Sequence, residues 1–204
     1  IGHAYGAAKP GAKIIYMSAE RFMMDFVQSI HGKDQMGFKS RLRDADMLLV
    51  DDIQFIVGKA STQEEFLHTI DSIISSGKRL VVAADRAPQA LDNVDQRILS
   101  RLAQGLVADI QPADLELRRS ILEQRVRAMP QASIGADVVE FLARTISRNV
   151  RELEGGLNKL LAYAQLTGKP VSKTLAEEQL SDILSACRRR ITIDEIQRTV
   201  CEYY

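Results

Sequence analysis

The chain has no tryptophan, two cysteines and five prolines among 204 residues, and 27 Lys and Arg balance 27 Asp and Glu to leave a formal charge of zero. Each shortage excludes something. Cys187 and Cys201 lie far from any paired metal-ligand spacing, so neither a disulfide framework nor a zinc site is expected. Such cysteine usage suits a reducing cytoplasm, with both thiols buried or idle. A neutral balance argues against a dedicated binder of double-helical DNA, whose affinity comes largely from a basic surface. Any DNA contact should be local. No apolar run approaches the roughly 20 residues that span a bilayer. The start, Ile1-Gly2-His3-Ala4-Tyr5, has neither the basic residues nor the apolar stretch of a secretory signal. It also lacks an initiator Met, so the chain is expected to begin inside a longer protein. Missing too is a phosphate-binding loop, since no Gly-Lys-Ser/Thr follows Gly2, Gly6 or Gly11.

What is present is ordinary for a globular core: 46% hydrophobic and 26% charged residues, enough for one domain and a small companion. Short apolar runs alternate with amphipathic stretches, the pattern of a parallel sheet covered by helices. Strands are expected at Ile14-Ile15-Tyr16-Met17, Met47-Leu48-Leu49-Val50, Leu80-Val81-Val82-Ala83 and Leu106-Val107-Ala108-Asp109-Ile110. Ser18 can cap a helix carrying Phe22, Phe26 and Ile30 on one face. Gln63 to Ser76 carries Phe66, Leu67, Ile70, Ile73 and Ile74, and Gly77 ends it. After Pro112 the strands stop. Asp114 should cap a helix with Leu117, Ile121, Leu122 and Val126, closed near Pro130. Others follow through Val138 to Ile146, after Asn149, and from Leu175 to Ala186. A last helix from Thr192 holds Ile196, Val200 and Tyr203, with Arg188-Arg189-Arg190 before it. The expected division is an α/β core over 1–112, a helical lid over 113–187, and a linker with the first helix of another domain over 188–204.

Ligand chemistry in such a fold sits at the carboxyl ends of the strands. There, Leu48-Leu49-Val50-Asp51-Asp52 places two acids. One can hold magnesium through water while its neighbour orients an attacking water. A plainer alternative has Asp52 cap a turn and Asp51 face solvent. Asp85 ends the next apolar run at the same edge, where it can position a phosphate or simply start a turn beside a solvated Arg86. Arg97 and Arg101 lie four residues apart on one helical face, suited to stabilising transferred phosphoryl charge or to facing water. Arg151 begins a lid helix, where it can fold over phosphate or form a surface ion pair.

The runs LLVDDIQF, TQEEF-x-HTI, RLVVAADRAPQ, RILSRL-x-x-GL, NVRELEGGLN and TIDEIQRTV-x-x-YY, in this order and spacing, resemble the bacterial DnaA family of replication initiators, which are AAA+ ATPases. The resemblance covers essentially the whole chain. It implies a P-loop NTPase core with a parallel sheet and a small all-helical lid, ATP or ADP with Mg2+ as ligands, and self-assembly on origin DNA. By the same resemblance Asp51 is the Walker B metal partner through water and Asp52 the water-orienting acid. Asp85 is then sensor 1, Arg101 the arginine finger acting on a neighbour's ATP, Arg97 a companion in its motif, and Arg151 the sensor-2 arginine. Arg43 matches a subunit-contact position. Val27 and Lys59 match positions that grip single-stranded DNA in a central channel.

Two departures qualify it. The family's phosphate-binding loop and its strand, which lies in the sheet between the strands ending at Ala84 and Ile110, are absent. This stretch alone is therefore expected to be poorly stable and to bind ATP weakly or not at all. Ser61 also stands where some relatives carry arginine, which shifts single-strand grip toward Lys59. Competing expectations are a regulatory AAA+ paralogue, an ATP-independent assembly scaffold, and a metal hydrolase built on Asp51, Asp52 and one of His3, His31 or His68. The scattered histidines speak against the last.

Overall fold

The computed structural model describes residues 1–129, 134–188 and 200–201. Contacts divide the chain into two compact units, Ile1–Asp109 and Ile110–Tyr204. In the first, strands β1 (Ile14–Ser18), β2 (Met47–Asp51) and β3 (Arg79–Val82) form a parallel sheet in the order β1-β2-β3. Ile14 pairs with Met47 and Met47 with Arg79, so the three strands are level at both ends. Parallel strands need crossovers, which here are helical: α1 (Gly2–Ala8) precedes β1, α2 (Ala19–His31) and α3 (Gln35–Arg43) link β1 to β2, and α4 (Ala60–Ser75) links β2 to β3. Helix α5 (Gln96–Gln104) follows β3.

The sheet is packed unequally on its two faces. Leu48 and Val50 point into the main core with Met17, and Leu80 and Val82 pack against it. Above them Phe22 of α2 meets Phe38 of α3 and Phe66 of α4 edge-on, with ring centroids 5.5 and 5.3 Å apart. Phe22 and Phe66 are fully buried, each worth about 1.5–3 kcal/mol in removed apolar surface. The opposite face is covered at Ile14 and Leu49 by α1. A Cβ added at Gly2 would lie 3.5 Å from the Leu49 side chain, and one at Gly6 3.2 Å from that of Ile14. Farther along the same face Tyr16 is 68% exposed.

The fourth expected strand does not form. Among the described residues, 106–110 form no strand, and Leu106 and Ile110 are more than nine-tenths exposed. The physical reason is positional: β3 has β2 on one side, and among the described residues no strand lies on its other side to carry this segment into the sheet. The side chains of Leu80, Val81 and Val82 are correspondingly only half-buried, while Met47, Leu48 and Val50 of β2 are buried. Helix α4 starts three residues earlier than the apolar pattern indicated, and Ile30 and Ile74 lie off their stripes, 42% and 50% exposed.

The second unit consists of helices α6 (Leu115–Arg127), α7 (Ala136–Thr145), α8 (Val150–Thr167), α9 (Lys173–Gln179) and α10 (Ser181–Arg188). Asp114, Asn149 and Ser172 cap α6, α8 and α9, each accepting from the backbone N–H three residues on. Leu122, Leu142, Ile146, Leu153, Leu157 and Leu180 make its core. The periodicity from Leu175 to Ala186 divides at Leu180 into two helices, and Leu117 is half-exposed. Pro130, Arg189, Arg190 and most of the helix expected from Thr192, including Ile196 and Tyr203, lie outside the described residues. Val200 and Cys201 are helical, and Cys201 is exposed rather than buried. Among the described residues no helix is long and apolar enough to cross a membrane.

Candidate nucleotide edge and arginine helix

Strand β2 ends at Asp51, and the chain turns at once. Asp52 sits in the left-handed region at φ 57°, which Asp tolerates better than most residues. That turn is held from several sides. The Asp52 N–H donates to Asp51 Oδ1 at 3.0 Å, and Gln54 Nε2 donates to Asp52 Oδ1 at 2.9 Å. The Ile53 N–H donates to the Ala83 carbonyl at 3.1 Å, and Ala83 N–H to Val50 at 2.9 Å. The ends of β2 and β3 are thereby locked level, which brings Asp51, Asp52 and Asp85 to one edge of the sheet.

Asp51 has a partner that the sequence reading missed. Tyr16, on the neighbouring strand and the same face, donates its hydroxyl to Asp51 Oδ2 at 2.9 Å. That hydrogen bond, reinforced by the charges of Asp51 and Asp52, raises the Tyr16 phenol above its ordinary value. A lone tyrosine facing outward from an apolar strand beside the acid-bearing strand was the available signal. Asp85 is paired within its own turn: Arg86 donates Nε and Nη2 to its two oxygens at 2.9 and 2.8 Å. The guanidinium holds the Asp85 carboxyl below the usual range.

Two carboxylates on a strand end fit magnesium only as shared ligands. Among the described residues no group of three or more His, Cys, Asp or Glu could hold a metal alone. Mg2+ characteristically keeps several waters and takes one or two carboxylates together with substrate phosphates. Asp51 and Asp52 suit that role, because each bonded oxygen retains a second lone pair. Gln54 Oε1, buried beside them, has no hydrogen-bond partner among the described residues.

Arg97 and Arg101 lie on α5, which packs against α4. Asp95 caps α5, accepting from the Arg97 N–H at 2.8 Å, and also pairs with the Arg97 guanidinium at 2.7 Å. Arg101, one turn on, donates Nε to Asp71 Oδ1 of α4 at 2.8 Å. Because α4 runs from the acid edge back to the start of β3, Asp71 lies about 17 Å along its axis from Ala60, at 1.5 Å per residue. Arg101 therefore lies toward the far side of the unit from the acids of its own chain. Arg43 ends α3 on that same far side, its carbonyl accepting from Lys78 Nζ. Lys59 is exposed at the start of α4, and Val27 is 42% exposed on α2, which packs on the turn Ile53–Ile56. In the other unit Arg151 is exposed in the first turn of α8, and its side chain has no hydrogen bond or ion pair among the described residues.

A level parallel sheet with acids at its carboxyl edge and a helix of outward arginines defines an AAA+ type core. Residues 1–109 match the family model described as the bacterial DnaA ATPase domain. The chromosomal replication initiator protein DnaA of Sphingopyxis alaskensis is 56% identical over all 204 residues, which span 45% of that protein. Domain III of the Thermotoga maritima replication initiation protein DnaA superposes with a TM-score of 0.86 at 34% identity, covering 90% of this chain and 76% of that one. A replication initiator DnaA bound to AMPPCP and single-stranded DNA superposes with a TM-score of 0.72 at 29% identity, covering 98% of this chain and 57% of that one. The chain belongs to the bacterial DnaA family.

Proposed function

We propose that this segment is the ATP-handling module of a cytoplasmic initiator of chromosomal replication, which assembles on origin DNA in an ATP-dependent way and opens it. The observation that carries this reading is the opposed placement of Asp51, Asp52 and Asp85 at one edge and Arg101 at the far side of the same unit. A protomer so built needs a neighbour to complete its phosphate site, so ATP acts as an assembly switch. Asp51 takes the Mg2+ of bound ATP through water, Asp52 orients the attacking water, and Asp85 positions the terminal phosphate once Arg86 gives way. Arg97 and Arg101 approach the neighbour's nucleotide, Arg43 contributes to the subunit contact, and Arg151 of the lid senses ATP against ADP. Val27 and Lys59 engage single-stranded DNA, as the relative bound to AMPPCP and single-stranded DNA encourages. The core over 1–112, the lid over 113–187 and the beginning of a duplex-binding domain over 188–204 complete the organisation.

Binding of a fluorescent ATP analogue with magnesium tests the reading. A version extended upstream through a phosphate-binding loop should bind, and this chain alone should bind weakly or not at all. Failure of the extended form would favour an ATP-independent scaffold of the same fold. Asp52→Asn in the extended form should keep binding and lose turnover, and intact turnover would remove Asp52 from its role.

A further inference from the structure

Gln63 is buried in the first turn of α4, 6% exposed, and every hydrogen-bonding proton of its amide is used. Nε2 donates to the Ile56 carbonyl at 2.9 Å and to the Asn93 carbonyl at 3.0 Å, and Oε1 accepts from the Asp95 N–H at 2.8 Å. These partners come from separate places. Ile56 ends the turn that follows Asp51 and Asp52, Asn93 belongs to the loop after β3, and Asp95 is the cap of α5. The loop is otherwise costly in backbone terms, with Asn93 at φ 58° and Gly58, which also donates to Asn93 O at 3.1 Å, at φ 70°. From Asp95 the connection continues to Arg97 through a guanidinium pair and, one turn later, to Arg101.

We propose that Gln63 is a positioning residue that holds the acid-bearing turn and the arginine-bearing helix α5 in one frame, so that Arg101 is delivered to a neighbour at a fixed angle. This rests on the arginine role assigned under the proposed function. Helix α5 is fastened to α4 at two points, Gln63–Asp95 and Asp71–Arg101. The first is part-buried and made by a buried amide whose other protons are also bonded, whereas the second is exposed and exchangeable. A buried amide with three partners resists exchange with water because each group left unpaired would be desolvated without compensation. The pivot therefore stays set while the arginine end is free to swap partners.

The test is a double-mutant cycle in the full-length protein: wild type, Gln63→Met, Arg101→Ala and the pair, read as the concentration giving half-maximal assembly with Mg-ATP in sedimentation. ATP affinity of dilute protomers and a melting curve accompany each variant. Gln63→Met should keep ATP affinity within about twofold and weaken assembly about tenfold, the scale of the one hydrogen bond of the three that reaches α5. In the pair it should add little to the loss from Arg101→Ala, as expected when two residues act through one interaction. Losses that multiply, or wild-type assembly by Gln63→Met, overturn the inference. Where Gln63→Met melts below the assay temperature, Gln63→Glu, which keeps the acceptor and the volume but loses both donors, is read in the same cycle against the same criteria. An Arg101→Ala variant that assembles like wild type removes the arginine assignment itself, and this proposal with it.

Discussion

Arg101 and Asp71 form an ion pair within one chain, Nε to Oδ1 at 2.8 Å, between side chains that are each 45% exposed. The arginine proposed to serve a neighbour is thus already occupied in the protomer. Exposed pairs contribute about 0.2–1 kcal/mol, so Asp71 competes with an incoming phosphate only weakly. Asp71→Asn should lower the concentration for half-maximal ATP-dependent assembly by about two- to fivefold, and less at high salt. Sedimentation with Mg-ATP at two ionic strengths checks this; an unchanged or raised midpoint would falsify the competition.

The Tyr16–Asp51 hydrogen bond predicts an alkaline effect. The phenol is raised above its ordinary value, chiefly by that bond. A group raised in the folded state stabilises fully below its unfolded value, about pH 10, and that contribution disappears as pH climbs through the folded value. The difference in phenolate absorbance between wild type and Tyr16→Phe isolates this one of five tyrosines. Its midpoint should lie above 10 on the usual scale and fall in Asp51→Asn. An Asp51→Asn chain with the same midpoint as wild type would contradict the assignment.

Asp95 makes the opposite prediction in acid. The Arg97 side chain and the Arg97 N–H hold its carboxyl below the usual range. A depressed group stabilises fully above its unfolded value, about 3.9, and the contribution is lost as pH falls through the lower folded value. Amides in the first turn of α5 should therefore lose hydrogen-exchange protection in acid before those of α2, whose cap is the hydroxyl of Ser18. Simultaneous loss in both helices would show that Asp95 is not the controlling group.

Two adjacent glycines in α8 should respond in opposite directions to alanine. A Cβ at Gly156 would lie 2.9 Å from Ile146 Cδ1 and 3.5 Å from Leu180, inside the second unit's core. Gly156→Ala should cost about 1–3 kcal/mol from overpacking. At Gly155 a Cβ meets nothing within 4 Å, so Gly155→Ala should gain about 0.5–1 kcal/mol from reduced backbone freedom. Urea midpoints of the two variants compare them directly, and equal shifts would contradict this packing of Gly156.

How far the sequence carried the fold depended on how local the physics was. The apolar runs of β1, β2 and β3, the caps Ser18 and Asp114 and the helix start after Asn149 were legible because strand burial and capping involve residues close in sequence. The run at 106–110 carries the same signal but joins no sheet among the described residues, a fact about the sheet rather than the segment. The acids and arginines proposed for the site were singled out from their runs and from family resemblance. Their partners were not. Tyr16 to Asp51, Asp71 to Arg101 and Gln63 to Asp95 each join residues about 30 or more positions apart, and no periodicity announces a hydrogen bond between side chains on different elements.

Among the described residues β3 has a strand on one side only. Its main-chain N–H and C=O groups bind any parallel strand by geometry alone, so the edge does not distinguish a strand of its own polypeptide from one offered by another molecule. What decides is effective concentration. A strand tethered by a short flexible connection is present at about millimolar, and it outcompetes strangers whenever the protein is more dilute than that. Dilution therefore favours pairing of that edge within one polypeptide, and crowding of chains on one another favours pairing between them.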